Sequence, residues 1–487
     1  MNTDRRVNGA HLVRLLGDWR TGPLPTAYAG LASRLRLLIL DGRVPLHTRV
    51  PAERELAEAL GVSRTTVAAA YERLREDGFL RSRRGAGTWT NLPPAGISAA
   101  GPVATLVDSE DLIDLAHAAP PAPAEWLHAA VASAVTQLTR FLPTHGYDPL
   151  GLAVLRSAVA DRYTARAAPT NPDQILVTAG AQHALALALR ALAAPGDRII
   201  VEHPTYPNAL EAIRGAGCRP VPVSFGAGGW DLEMLAATIR HTAPRLAYLT
   251  PDFQNPTGFC MSGPDRTALV ELSRRSGTTI VIDETVAELA LDGAAPPPVA
   301  AFVQTTDPDD AGLVITTGST SKTFWGGLRV GWLRATPSMA RRLGAARVSM
   351  DLASPVLEQL IAAELVPNTS SVVNERRAWL RAARERLRER LAARLPGWSP
   401  NSPAGGLGFW VDLGVPISSA LTISAERHGV ALAAGPRFGL DGAFERFVRL
   451  PYTLDAETLD LAVDRLAAAY LALGTGPPED LPLRGVT

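Results

Sequence analysis

Apolar residues recur at helical spacing through the first ninety positions and as short strand-like runs beyond them. Residues 26–40 carry Leu31, Leu35, Leu38 and Ile39 on one helical face, and Asp41-Gly42 ends that stretch. Pro51 opens a second helix, with Glu53 and Glu55 in its positive first turn, Leu56, Ala57 and Leu60 inward, and Gly61 as its stop. Ser63 suits the N-cap of a third helix, Arg64 to Asp77, whose buried stripe is Val67, Ala70 and Leu74 and whose stop is Gly78. Phe79-Leu80-Arg81 and Thr88-Trp89-Thr90 then flank a basic, glycine-rich tip, which predicts a short hairpin. Two short helices about a three-residue turn, followed by such a hairpin, predict a mostly α winged helix-turn-helix.

The pattern then changes. Residues 91–111, rich in Pro, Gly, Ala and Ser, read as a linker, and residues 476–487 as a loose tail. Between them, Ile175 to Thr178, Arg198 to Val201, Leu246 to Thr250, Thr279 to Ile282 and Leu313 to Thr316 are short apolar or β-branched runs separated mostly by helical stretches. That alternation predicts an α/β domain over 112–475 with a mostly parallel sheet and a ligand site at the strands' carboxyl ends. Asn374 to Leu395 holds eight arginines among apolar Trp379, Leu380, Leu387 and Leu391, and reads as a solvated amphipathic helix.

Charge sharpens the division. The chain is neutral overall, but residues 1–92 hold fifteen Arg against nine Asp or Glu, so the head is +6 and the remainder −6. A basic head on a neutral chain points to nucleic acid. Two cysteines, Cys218 and Cys260, form no disulfide framework and suit a reducing cytosol. No signal peptide or membrane-length apolar run is visible, so a cytoplasmic location is expected, and no residue is assigned to a metal.

In a helix-turn-helix the start of the second helix reaches base edges, here Ser63, Arg64, Thr65 and Thr66. The run Pro51-Ala52-Glu53-Arg54-Glu55-Leu56-Ala57 with Gly61-Val62-Ser63-Arg64-Thr65-Thr66-Val67 resembles the DNA-binding domain of the GntR regulators over residues 12–90. The resemblance implies that Arg54, Arg64, Thr65, Thr66 and the wing residues Arg84 and Gly85 touch double-stranded DNA.

Lysine usage marks a second centre. Lys and Arg together number 48, and Lys322 is the only lysine, leaving 47 arginines. Arginine stays protonated, whereas a lysine amine can form a Schiff base with an aldehyde. Lys322 follows a strand and a run of small hydroxyl residues, Ser319-Thr320-Ser321, and precedes Arg329. Other strand ends offer Gly180-Ala181-Gln182 at a helix start, Tyr206, Asn255 in a Pro-Thr-Gly turn, Asp283 after an apolar strand, and Arg449 inside another. Each has an ordinary structural explanation alone. Together they suit pyridoxal 5′-phosphate, which needs a phosphate cradle, a carboxylate at its ring nitrogen and one lysine.

This order of residues resembles the fold type I aminotransferases over roughly 112–470. By that resemblance Lys322 holds the cofactor as a Schiff base and Asp283 pairs with the pyridine nitrogen. Asn255 donates to the ring hydroxyl, and Tyr206 stacks on the ring. Gly180, Ala181, Ser319, Ser321 and Arg329 hold the phosphate, Tyr147 reaches it across a dimer interface, and Arg449 binds an effector or substrate carboxylate. The family's tyrosine two or three residues after the ring aspartate is absent, since Glu284-Thr285-Val286-Ala287 follow Asp283. Either Thr285 replaces it or Asn255 acts alone, and weakened transamination is expected.

A GntR-type head joined to such a domain resembles the MocR/GabR regulators. That implies a homodimeric transcription factor in which an amine or amino acid displaces Lys322 from the cofactor and changes DNA binding, with at most residual transamination. Two alternatives stay open: a catalytically active aminotransferase that also binds DNA, and a sensor of pyridoxal phosphate itself that regulates vitamin B6 synthesis.

Overall fold

The computed structural model describes residues 6–17, 19, 27–40, 44, 48–76, 78–83, 87–91, 111–226, 228–303 and 313–473. The linker at 92–110, most of the wing tip with Arg84 and Gly85, and the tail at 476–487 lie outside them.

In the head, helices Ala27–Leu40, Glu53–Leu60 and Arg64–Glu76 are where the periodicity puts them. Pro51 sits two residues before its helix instead of opening it. Gly61 adopts φ 63°, the left-handed turn that a side chain disfavours, and so ends that helix. Ser63 Oγ accepts the Thr66 N–H at 3.1 Å, the expected N-cap bond. Strands Leu80–Arg83 and Gly87–Thr90 form the antiparallel wing. A further helix, Gly9–Leu16, joins the same apolar core through Leu12 and Leu16, with Leu35, Leu56, Val67 and Tyr71. Buried Tyr71 donates to the Pro51 carbonyl at 2.9 Å, tying the recognition helix to the start of its neighbour.

The larger region is built on an eight-stranded sheet. Its order is Ile175–Thr178, Gly331–Arg334, Val314–Ser319, Thr279–Asp283, Leu246–Leu249, Arg198–His203, Arg219–Gly226 and Gly229–Trp230. The central pairs are parallel, while Gly331–Arg334 runs antiparallel to both neighbours. Alternate residues feed two cores: Val201, Tyr248, Val281 and Ile315 pack on one face, Ile200, Ala247, Ile280, Ile282 and Val314 on the other. Burial on both faces explains why these strands read as continuous apolar runs. Arg219–Gly226 escaped the sequence pattern because Pro220 and Pro222 interrupt it, which a strand near the sheet edge tolerates.

A five-stranded sheet, Ser399–Pro400, Gly408–Asp412, Phe447–Pro451, Val430–Ala434 and Ile113–Leu115, covers a third core. Helix Thr369–Arg394 packs there through Leu380, Leu387 and Leu391. Its expected solvated character needs correcting at two of eight arginines, because Arg376 and Arg384 are buried. Arg384 pairs with Asp292 at 2.7 Å, while Arg376 donates to backbone carbonyls.

Candidate functional site

Parallel strands bring their carboxyl ends to one edge, and a cavity of about 470 Å³ opens there. Ala181, Tyr206, Asn255, Asp283, Ser319, Ser321, Lys322, Arg329 and Arg449 all line it, although they span most of the larger region's sequence.

Lys322 stands just beyond strand Val314–Ser319, in the short helix Thr320–Thr323. Ser319 Oγ accepts the Ser321 N–H at 3.1 Å and donates to Ser321 Oγ at 2.9 Å, which pins the turn. Lys322 Nζ donates to the Ala118 carbonyl at 2.7 Å. Burial first, then the positive charge of Arg449, pushes its pKa down to about 8, against the opposing pull of Asp283. A neutral amine is thus accessible near physiological pH.

Asp283 ends the adjacent strand, in register with Thr317. Tyr248 Oη donates to its Oδ2 at 2.6 Å, and the Thr285 N–H to its Oδ1 at 2.9 Å. Burial and the Asp283 charge hold the Tyr248 hydroxyl protonated, its pKa well above the usual range. Tyr248 was not singled out from sequence. The available signal was a hydroxyl-bearing ring in a fully buried strand, one residue before its carboxyl end.

Gly180 caps helix Ala181–Leu192 at φ 97°, and a Cβ there would meet Arg329 Nη2 at 2.9 Å. Gly331 passes so close that its own Cβ would sit 2.7 Å from the Gly180 backbone. Two glycines let the strand, the helix start and the arginine crowd together. Arg329 donates to the carbonyls of Ala179 at 2.9 Å and Gly326 at 3.3 Å.

Arg449 is buried, stacked 5.1 Å from the Phe438 ring centroid. Its Nη1 donates to Asn255 Oδ1 at 3.2 Å and its Nη2 to the Ala116 carbonyl. Burial lowers its pKa to about 10. Tyr206 lines the cavity and accepts from Asn208 Nδ2 at 2.9 Å. Three buried polar atoms of lining residues, Gln182 Oε1, Thr285 Oγ1 and Arg449 Nε, have no hydrogen-bond partner. Orphans of this kind cost free energy until a polar ligand or water meets them.

Two cofactor candidates do not line the cavity: Gly180, which lies just behind it at the start of helix Ala181–Leu192, and Tyr147, 62% exposed beside His145. In the head, Arg54, Ser63, Arg64 and Thr65 are exposed and Thr66 half-buried on one surface. The Ser63 hydroxyl lies 2.8 Å from both Thr65 and Thr66 hydroxyls, and Arg64 lies 3.6 Å from Glu53.

Residues 27–89 match the bacterial regulatory proteins of the gntR family, and residues 110–466 match aminotransferase class I and II. The uncharacterized HTH-type transcriptional regulator YisV of Bacillus subtilis is 28% identical, over 89% of this chain and 93% of that one. The probable rhizopine catabolism regulatory protein MocR of Rhizobium meliloti is 31% identical over 64% and 65% respectively. Among solved structures, LysN, the alpha-aminoadipate aminotransferase of Thermus thermophilus complexed with N-(5'-phosphopyridoxyl)-L-leucine, superposes with a TM-score of 0.67 at 30% identity. That match covers 75% of this chain and 93% of LysN. With a GntR helix-turn-helix domain ahead of an aminotransferase class I and II domain in a single polypeptide, the chain belongs to the MocR-type transcriptional regulators.

Proposed function

We propose that this regulator holds pyridoxal 5′-phosphate at Lys322 and that an amine or amino acid entering the cavity alters its grip on DNA. When bound, the cofactor supplies an aldehyde that condenses reversibly with primary amines. The donor set fits it. Ala181, Ser319, Ser321 and Arg329 line the cavity and, with Gly180 at the helix start, would hold the phosphate. Asp283, oriented by Tyr248 and the Thr285 N–H, holds a proton at the ring nitrogen. Asn255 donates through its amide, and the unpartnered Thr285 hydroxyl stands in for the tyrosine that this chain lacks. Tyr206 supplies a flat apolar face, and Arg449 receives the effector's carboxylate through a two-pronged contact. Tyr147, exposed on each protomer, serves the partner's site in a homodimer.

One observation carries the regulatory part. The carbonyls of Ala116 and Ala118 hold Arg449 and Lys322, the two groups that cofactor and effector must engage. Lys322 loses its contact to Ala118 when its nitrogen is used, and Arg449 loses Ala116 when a carboxylate arrives. Residues 116–118 follow strand Ile113–Leu115, the first element after the segment joining this region to the DNA-binding head. Ligand occupancy therefore competes with the seating of that strap, and differential affinity for the two arrangements shifts DNA binding.

The test is to titrate DNA with full-length protein, first with pyridoxal phosphate alone and then with added amino acids, while following the visible absorption band. A band that depends on Lys322 and a DNA affinity that responds to amino acids support the proposal. A response to pyridoxal phosphate alone makes the protein a cofactor sensor, and protein without the band refutes cofactor attachment. The likeness to LysN favours a second reading, an aminotransferase that also binds DNA. Sustained turnover with an amino acid and a 2-oxo acid at ordinary enzyme rates would establish it.

A further inference from the structure

Arg437 lines the same cavity as Arg449, yet among the described residues it has neither an ion-pair nor a hydrogen-bond partner. The other lining cations are engaged: Lys322 by Ala118, Arg329 by Ala179 and Gly326, Arg449 by Asn255 and Ala116. Nor is Arg437 on a loose loop. It sits in the turn Gly435–Phe438, where the Gly435 N–H donates to Ser418 Oγ at 2.9 Å and the Phe438 carbonyl accepts the Thr205 N–H at 2.8 Å. A Cβ on Gly435 would lie 2.1 Å from the Phe444 carbonyl oxygen, so the turn is packed without slack. Its next residue, Phe438, is the ring on which Arg449 stacks.

Charge makes the unpaired arginine informative. The lining cations are Lys322, Arg329, Arg437 and Arg449, and the lining carboxylate is Asp283. A phosphate takes Arg329, and an α-carboxylate takes Arg449. That leaves one exposed positive group, its backbone held in a packed turn and its charge felt by Arg449, at the cavity without a counter-charge.

We propose that Arg437 selects ligands with a second anionic group, so that the effector class is the acidic amino acids, bearing a distal carboxylate. This rests on the Lys322 cofactor proposal only for the amino group. The two arginines alone should prefer a dicarboxylate, with or without cofactor.

The probes are therefore glutarate and adipate against valerate, measured by calorimetry on full-length protein with and without pyridoxal phosphate. The better dicarboxylate is expected to bind about fivefold more tightly than valerate, the modest gain that a solvent-exposed pair gives. Arg437→Gln should abolish that preference and leave valerate binding and the visible cofactor band unchanged, while Arg449→Gln should weaken all three ligands. Equal affinity for dicarboxylates and valerate in the wild type, or a preference that survives Arg437→Gln, overturns the proposal. Loss of the cofactor band with the dicarboxylate preference intact would sink the cofactor proposal and leave this one standing.

Discussion

Arg64 in the head is 72% exposed with Glu53 at 3.6 Å, whereas Arg449 is buried between Phe438, Asn255 and a backbone carbonyl. The two guanidiniums work under different rules. An exposed cation keeps its hydration and its rotamers, so its partner can be any phosphate that comes near, and salt weakens the contact. A buried one has given up water already, and its surroundings lower its pKa to about 10. Lys322 shares that environment and falls to about 8. The contrast separates a surface that recognises by approach from a cavity that recognises by fixed chemistry.

Substitutions can break this comparison at either end. The largest effect is expected for Lys322→Ala, which should abolish the visible cofactor band entirely, because none of the 47 arginines can replace a deprotonated amine. Next comes Asp252→Asn, which strips the counter-charge from Arg266 across a 2.6 Å pair with both side chains fully buried. It should destabilise the aminotransferase-like region by about 3–5 kcal/mol in chemical unfolding, since an uncompensated charge remains inside. Arg64→Ala should weaken DNA binding by about 1–3 kcal/mol and leave stability nearly unchanged. Equal binding of operator by that variant would remove it from the reading surface. Tyr71→Phe deletes the hydroxyl bond to Pro51 and should lower the head's unfolding free energy by about 1 kcal/mol.

A fifth expectation concerns pH. A lysine pKa lowered to about 8 means that the folded protein binds fewer protons than the unfolded chain between pH 8 and the ordinary lysine value of 10.5. Stability in the cofactor-free protein should therefore gain from this group as pH rises through that window, and not below it. Loading of pyridoxal phosphate should rise with a midpoint near pH 8; a midpoint near 10.5 would mean that burial does not act on Lys322.

Much of this could be seen in the amino acids because the head's signals are local. Cap, turn and stripe at Ser63, Gly61 and Val67 lie within seven residues. The parallel strands were equally visible, since two-sided burial writes them as unbroken apolar runs. Asp283 and Lys322 stood out because a carboxylate and a lone lysine at strand ends are chemically expensive or unusual there. Three features could not be seen. Tyr248 is one more aromatic residue until the register sets its hydroxyl against Asp283. Arg437 is one arginine among 47 until the fold packs its turn beside Phe438. Lys322 and Arg449 are met by the carbonyls of Ala118 and Ala116, and a main-chain oxygen leaves no mark on residue identity.

Arg376 sets the limits of that strap. From helix Thr369–Arg394 its guanidinium donates to the carbonyls of Thr323 and Pro121, each at 2.6 Å, and to that of Phe324. The lysine turn and Pro121 are therefore riveted to one rod. Ala118 stands three residues from the rivet, a leash of about 10 Å at full extension. Strand Ile113–Leu115, paired with Val430–Leu432, pins the other end, so any shift is confined to the few residues between the strand and Pro121, and strain there is passed to the strand from which the chain departs for the head.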